Sequence, residues 1–184
     1  MPESTAALLV MDVQEEIVER FGDTSLLERV ARAISAARVA QMPVIYVKVD
    51  FRPGFPEVSP RNRAFSQVAG SGFLGEKMHV HPAVPPQPGD IEVTKRRVSA
   101  FAGSDLEVVL RSLQATTLVL TGIATSGVVL STLREAADRD YELIVLSDCC
   151  ADRDPEVHRV LLEKVFPRQA DVLDTESWAR KLRR

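Results

Sequence analysis

Cysteine is almost absent from this chain. There are two among 184 residues, and they are neighbours, Cys149 and Cys150. A bridge between adjacent cysteines strains the peptide that joins them, so no disulfide framework is available and a reducing cytoplasm is the expected location. Histidine is equally sparse. His79, His81 and His158 stand at no spacing that would combine with the two thiols into a zinc site, so neither a metal nor any other cofactor is expected. Charge of one sign is not in excess: the formal net charge is −3, which gives no electrostatic reason to expect nucleic acid or an anionic membrane as a partner. The longest basic runs are the pairs Arg96-Arg97 and Arg183-Arg184, read as solvated. Uninterrupted apolar stretches are short. The opening MPESTAALLVMDVQ lacks a basic flank and its apolar run stops at Asp12, so neither a signal peptide nor a membrane span is expected there.

What the chain does have is alternation. Ala6 to Met11 is a continuous apolar run of strand length, as for a strand covered on both faces. From Ser25 the period becomes helical, with Leu26, Leu27, Val30, Ala33, Ile34 and Ala37 on one side and a capping-box signature in Ser25 and Glu28. Pro43 stops that helix and Val44 to Val49 reads as a second strand. Further strands are expected at Ile91–Thr94, Thr117–Thr121, Glu142–Leu146 and Asp171–Leu173. Between them lie a helix capped by Ser104 and Glu107, one from Thr125 to about Arg139, one opened by Asp154-Pro155, and a last one around Trp178. Residues 50–90 break the pattern. This stretch, rich in Pro, Gly, Ser and Arg, shows no sustained period and reads as a long excursion over one sheet edge, the usual form of a functional loop or lid. Strands alternating with helices through short loops make a three-layer α/β/α domain with a mostly parallel sheet of about six strands. At 45% hydrophobic, the chain has material for one real core and one domain, 1–184.

Ligands of such sheets bind beyond the carboxyl ends of the strands, where strand order reverses. The polar residues just past strand ends are therefore the informative ones: Asp12 and Gln14 after the first, Lys95 after the third, Thr121 to Thr125 after the fourth, and Ser147 to Cys150 after the fifth. Asp12 follows six apolar residues and should be buried, and a buried carboxylate needs a partner, for which Lys95 is the candidate. The bland reading is a structural ion pair. The sharper one is a pair of groups arranged for proton transfer.

These residues resemble a family. An apolar strand ending in D-x-Q (Asp12, Gln14), Lys95 followed by Ser99-Ala100-Phe101 and Gly103-Ser104-Asp105-Leu106, and Gly122-Ile123-Ala124-Thr125-Ser126-Gly127-Val128-Val129 with Thr132 look like the isochorismatase-like cysteine hydrolases. The Thr-Ser-Gly triplet is most similar to the N-carbamoylsarcosine amidohydrolase branch. The resemblance implies a Rossmann-like fold, a common tendency to homo-oligomers, and a triad of Asp, Lys and Cys in which a thiolate attacks an amide carbonyl. It further implies a non-proline cis peptide at Ile123–Ala124, whose N–H groups join that of position 128 in an oxyanion hole at a helix N-terminus.

The departure is Val128 where the family has its cysteine. Valine has no lone pair, so covalent acyl transfer from this position is impossible, while main-chain donors would survive the change. Ser126 is no substitute, lying about 200° around a helix from Val128. A displaced nucleophile would be Cys149 or Cys150, each more commonly a small buried hydrophobe. A third route needs no nucleophile: the branch that cleaves isochorismate, a vinyl ether, lacks the cysteine and uses the Asp as acid and base. It requires Asp12 protonated at working pH, so burial must outweigh Lys95. That branch carries Gly at the cysteine position, where Val128 is bulkier.

Specificity is expected from the excursion. Arg52, Arg61 and Arg63 are candidates to grip a carboxylate, and Phe51, Phe55 and Phe65 either wall the pocket or anchor the loop. With Gln14, Phe101 and Thr125, Arg52 and Arg61 make the expected substrate-binding set. The leading expectation is a hydrolase of a small acidic or amide-bearing molecule, using Asp12 and Lys95 without a cysteine. The alternative is a non-catalytic relative that binds a small acid, or a hydrolase with its nucleophile at Cys149 or Cys150.

Overall fold

The computed structural model describes residues 5–21, 24–70 and 78–183. Six strands form one sheet: β1 (Thr5–Met11), β2 (Val44–Val49), β3 (Ile91–Lys95), β4 (Ala115–Ile123), β5 (Glu142–Ala151) and β6 (Asp171–Leu173). Their order is β3-β2-β1-β4-β5-β6, and every neighbouring pair is parallel. The chain steps outward from β1 to β3 on one side and from β4 to β6 on the other. Strand order therefore reverses between β1 and β4, and the carboxyl ends of those two strands flank the crevice such a reversal opens.

Side-chain alternation divides the core into two layers. On one face, Leu8 and Val10 of β1 and Val44 and Tyr46 of β2 pack under α1 (Glu15–Phe21), α2 (Ser25–Val39) and Trp178 of α7 (Thr175–Leu182). On the other, Ala7, Leu9 and Met11 pack with Ile45 and Val47 under α4 (Leu106–Ser112) and α5 (Leu130–Ala137). Leu161 and Phe166 close the second layer, just beyond α6 (Pro155–Val160). β1 is buried on both faces, which is why it reads as an apolar run without alternation. Each of its large side chains contributes about 1.5–3 kcal/mol through burial.

Several expectations differ in detail. Ser25 does not cap α2: the cap position is Thr24, without a side-chain bond, and the Ser25 hydroxyl accepts from Arg29 at 3.0 Å. Ser104 stands one residue before the cap position of α4, Asp105, yet its hydroxyl accepts from the Leu106 N–H at 3.2 Å while donating to the Ala100 carbonyl at 2.6 Å, so it does serve the start of that helix. Asp154 caps α6 as expected, accepting from the N–H groups of Glu156 and Val157 with Pro155 in the first turn. The excursion contains a helix that the irregular composition hid, α3 (Arg63–Gly70). Part of the excursion, residues 71–77, lies outside the described residues, as does Arg184 of the terminal basic pair. No helix among the described residues is long and apolar enough to cross a membrane.

Candidate active site

β1 leads into Asp12 at the switch point, with a change of backbone hand. Its φ is +55°, in the left-handed region, while its N–H still donates to the Val47 carbonyl at 2.8 Å. Few residues other than glycine sit there readily, and such outliers cluster at functional sites. One residue earlier, β1 and β4 approach so closely that only glycine fits: a Cβ on Gly122 would lie 2.3 Å from the Met11 carbonyl oxygen. The end of β1 is thereby pressed against the segment that leaves β4.

Lys95 comes from β3, two strands away from β1, roughly 10 Å in the sheet plane at ordinary strand spacing. Its stem crosses that gap, and Nζ meets Asp12 Oδ2 at 3.0 Å. Both groups are enclosed, Asp12 at 6% and Lys95 at 2% exposure. Nζ also donates to the Arg97 carbonyl at 3.0 Å. Asp12 Oδ1 is buried and, among the described residues, has no hydrogen-bond partner. Burial raises the Asp12 pKa above the usual carboxylate value. That effect exceeds the lowering by the Lys95 charge and its hydrogen bond, and the smaller one of the Val49 N–H. The carboxyl is thus biased toward its protonated form even with a cation in contact.

Gln14 is fully buried and its amide is committed to main chain. Oε1 accepts from the Val49 N–H at 2.8 Å, and Nε2 donates to the carbonyls of Val49 at 3.1 Å and Met78 at 2.6 Å. Its place is that of a brace between the ends of β1 and β2 and the returning excursion, which pairs with it through Val80.

On the other side of the crevice β4 runs into a wide turn, Thr125–Val129, before α5 begins. The sequence pattern had placed a regular helix from Thr125. Gly127 breaks it with φ −99° and ψ −106°. The Ile123–Ala124 peptide is cis. The N–H groups of Gly127 and Val129 both turn to the Ala124 carbonyl, at 3.0 and 3.3 Å, and that of Ser126 donates to Asp152 Oδ2 at 2.7 Å. Val128 is buried in the second layer with Phe101, Leu133 and Cys150. Thr125 is fully buried, and its hydroxyl lies 2.8 Å from His158 Nδ1 on α6. His158 and Asp152 escaped the sequence reading because they belong to the next strand–helix connection.

The remaining expected residues are more dispersed. Arg52 is largely exposed and ion-paired with Glu57 of its own loop; Arg61 and Arg63 are exposed. Phe51 anchors the loop, its ring 6.2 Å from that of Phe55 and 5.4 Å from that of Phe65. The Arg96-Arg97 pair is not merely solvated. Arg97 donates to the Glu57 carbonyl at 2.8 Å, and Arg96 bonds the Asp50 carbonyl, so the pair pins the loop to the end of β3. Phe101 is buried against Tyr141, at 6.1 Å between rings, with the Arg139 guanidinium 4.7 Å from its centroid. The strand β5 runs five residues past its expected end because its pairing with β4 jumps, Leu120 facing Val145 but Gly122 facing Cys150. The two cysteines therefore fall on opposite faces: Cys149 in the first layer, 3.0 Å from the Thr175 hydroxyl, and Cys150 in the second. Burial pushes the Cys149 thiol up to about 12 and that of Cys150 higher still, so neither is poised as a thiolate.

The chain as a whole has counterparts among known proteins. Over 95% of its length the chain is 35% identical to the ureidoacrylate amidohydrolase RutB of Methylobacterium radiotolerans, covering 79% of that protein. It is 31% identical to the uncharacterized isochorismatase family protein YecD of Escherichia coli O157:H7, with 94% of this chain and 93% of that protein covered. Among solved structures, a cysteine hydrolase from Pseudomonas syringae pv. phaseolicola superposes with a TM-score of 0.88 at 25% identity, over 97% of this chain and 92% of that one. The Isochorismatase domain model matches residues 6–177, from the first residues of β1 to within α7, and the chain therefore belongs to the isochorismatase family.

Proposed function

We propose that this chain hydrolyses a small acidic or amide-bearing molecule with Asp12 as acid and base, Lys95 as its counter-charge, and no covalent step at position 128. One observation carries the reading. Asp12 is a buried carboxyl with Oδ2 on Lys95 and Oδ1 unpartnered among the described residues, and its pKa is raised despite the ammonium. A carboxyl in that state can give a proton from Oδ1 to a substrate atom and be left as a carboxylate that Lys95 stabilises. Water then adds to the activated carbon and returns a proton to Asp12, and the bond from that carbon to its amide nitrogen or ether oxygen breaks, the leaving group departing with the proton from Asp12 or from the adduct's new hydroxyl, so one water is consumed and the acid is regenerated. The main-chain N–H groups of Ala124 and Val128, which are not among the donors turned to Ala124 or Asp152, serve as the hole for developing negative charge. Val128 occupies the place of the family's cysteine, within a chain whose motifs are nearest to the N-carbamoylsarcosine amidohydrolase branch. Arg52, Arg61 and Phe101 are assigned to the substrate side, with Arg52 leaving Glu57 when an acidic group arrives. The reading takes the whole chain as one domain, assembled as a homo-oligomer in the cytoplasm, where both thiols stay free.

The second reading is the one the named relatives favour. A relative called an amidohydrolase and a neighbour called a cysteine hydrolase point to chemistry for which Val128 offers no nucleophile. Either the site only binds a small acid, as the near-complete enclosure of Asp12 and Lys95 would suit, or Cys150 acts instead. Cys150 shares the Val128 face and stands opposite Gly122, though its raised pKa argues against the role.

Screening turnover on ureido acids, amides and vinyl ethers, with Asp12→Asn and with thiol alkylation, separates these readings. Turnover that Asp12→Asn abolishes and alkylation leaves intact supports the proposal. Loss on alkylation and in Cys150→Ser moves the nucleophile to Cys150. Saturable binding of a small acid without turnover makes the chain a binder.

A further inference from the structure

We infer that His158 is a positioning residue for the turn Thr125–Val129, acting through the Thr125 hydroxyl, so that its protonation state sets the geometry of the main-chain donors. The inference rests on the preceding reading for its meaning in catalysis, but not for its test.

The turn is poorly held by its own hydrogen bonds. Two of its N–H groups converge on a single carbonyl, that of Ala124, and Gly127 leaves helical geometry in its middle. What fixes it comes from outside, from one short segment running from Asp152 to His158. Asp152 takes the Ser126 N–H at 2.7 Å, and His158 Nδ1 takes the Thr125 side chain at 2.8 Å. That segment is itself anchored, with Asp154 capping α6 and Pro155 in its first turn. Two side chains thus grip consecutive residues at the start of the turn, immediately after the Ile123–Ala124 peptide.

The chemistry of the Thr125–His158 bond makes the grip conditional. Thr125 is fully buried, and Nδ1 is the one hydrogen-bond partner of its hydroxyl among the described residues. With neutral His158 presenting a lone pair at Nδ1, the hydroxyl donates its proton there. Protonation turns Nδ1 into a donor. The hydroxyl then has to accept, and its own proton is left in the protein interior without an acceptor, which is unfavourable. The turn must shift or the bond must break.

His158 opens onto a cavity of about 340 Å³ between α6, the end of β5 and α2, through which protons can reach it. The charged and titratable groups around that cavity are Asp148 and Cys150 of β5, Asp152 after it, and Arg29 of α2. On α6 itself stand Glu156 and Arg159, the latter paired with Glu163; the turn Thr125–Val129 has no titratable group. Burial lowers the His158 pKa and outweighs the raising effect of Asp152, in keeping with a neutral ring that holds the bond through the neutral range.

The test is a pH titration of ¹⁵N-labelled protein by NMR, following the amides of Thr125 to Val129 and the His158 ring. The expected result is a single step in the turn amides with the midpoint of the ring itself, below the usual histidine value. In His158→Asn, which keeps an acceptor near Nδ1 but does not titrate, that step disappears and the amides hold their high-pH positions. In Thr125→Val the ring still titrates and the turn no longer follows. Turn amides indifferent to the ring in the wild-type protein would overturn the proposal. So would a step that persists in His158→Asn, which would assign it to Asp152, or one that persists in Thr125→Val. Where a substrate is turned over, kcat should fall with acid in the wild type and stay flat over the same range in His158→Asn. Turnover surviving in Asp12→Asn would sink the preceding reading and leave the turn titration as it stands.

Discussion

On the β1 side of the seam the site is made of full charges, and on the β4 side of main-chain dipoles. Asp12 and Lys95 come from positions 83 residues apart in the sequence and hold each other where burial raises the pKa of the carboxyl. The turn after β4 is neutral and its outside supports come from the very next strand–helix connection. Buried charge is strongly coupled and tolerates little: removing one partner strands the other. Hydrogen-bonded main chain is weaker bond by bond and can be tuned in small steps. A site built from both can keep its proton-transfer group fixed while its donors are adjusted separately.

The largest effect should come from the one residue that both sides share. Gly122→Ala places a methyl group 2.3 Å from the Met11 carbonyl, at a φ of +145°. Neither backbone can retreat without breaking β1–β4 pairing, so we expect a loss of roughly 4 kcal/mol or more in urea unfolding. A stable, active variant would show that the seam is looser than the contact implies.

Next in size are the charges. Asp12→Asn should lower kcat by roughly 10²–10⁴-fold on any substrate the protein turns over. Lys95→Met should cost about 3–5 kcal/mol of stability by leaving the carboxylate alone, and Asp12→Leu with Lys95→Met should regain most of it. The pH dependence has a definite sign. Lys95 lowers the Asp12 pKa, so its removal lets burial raise that pKa further. A raised carboxyl is stabilising when protonated and the contribution is lost as pH rises through the folded value. The stability gap between Lys95→Met and wild type should therefore be widest near neutrality and narrow as pH falls. A gap that is flat with pH would mean Asp12 is not the group left exposed to desolvation.

Smaller again is the histidine. With its pKa lowered in the fold, His158 contributes stability that is present above the unfolded value and lost as pH falls through the folded one. Wild-type protein should thus lose stability in mildly acidic solution relative to His158→Asn, read as a difference in Tm between the two across that range.

How much of this was legible in the sequence follows the same division. The sheet announces itself because β1, β2 and β4 are buried on both faces and read as apolar runs. The Asp12–Lys95 pair was legible because a lone charge directly after such a run has few ways to be satisfied. The turn was not, since Val128, Val129 and Leu133 keep a helical period whatever the backbone does at Gly127. The supports were hidden for a related reason. Asp152 and His158 reach the turn only because the pairing of β5 with β4 jumps between Val145 and Cys150, and nothing in SDCCAD marks such a jump. The cap of α2 falls one residue before Ser25, at Thr24, where the sequence pattern cannot tell the two hydroxyls apart, while Ser104 does take the first N–H of α4.

The finest test of the contrast lies outside both halves, at Asp154. Its carboxylate takes the N–H groups of Glu156 at 2.9 Å and Val157 at 3.2 Å, while its own N–H, which substitution keeps, donates to Asp152 at 3.4 Å. Asp154→Ala should cost only about 1 kcal/mol, the usual worth of an N-cap, or roughly 2–4 °C in Tm for a chain of this size. If the segment from Asp152 to His158 is the template for the turn, that small loss will not stay local. The Ser126 amide, held by Asp152, should exchange its proton with solvent faster, while the amide of Asp12, bonded to Val47 across β1 and β2, should not change. Equal acceleration at both would mean the site opens as one unit and the two halves are not separately held. No change at Ser126 would mean that the turn keeps its shape without its neighbour, leaving His158 nothing to control.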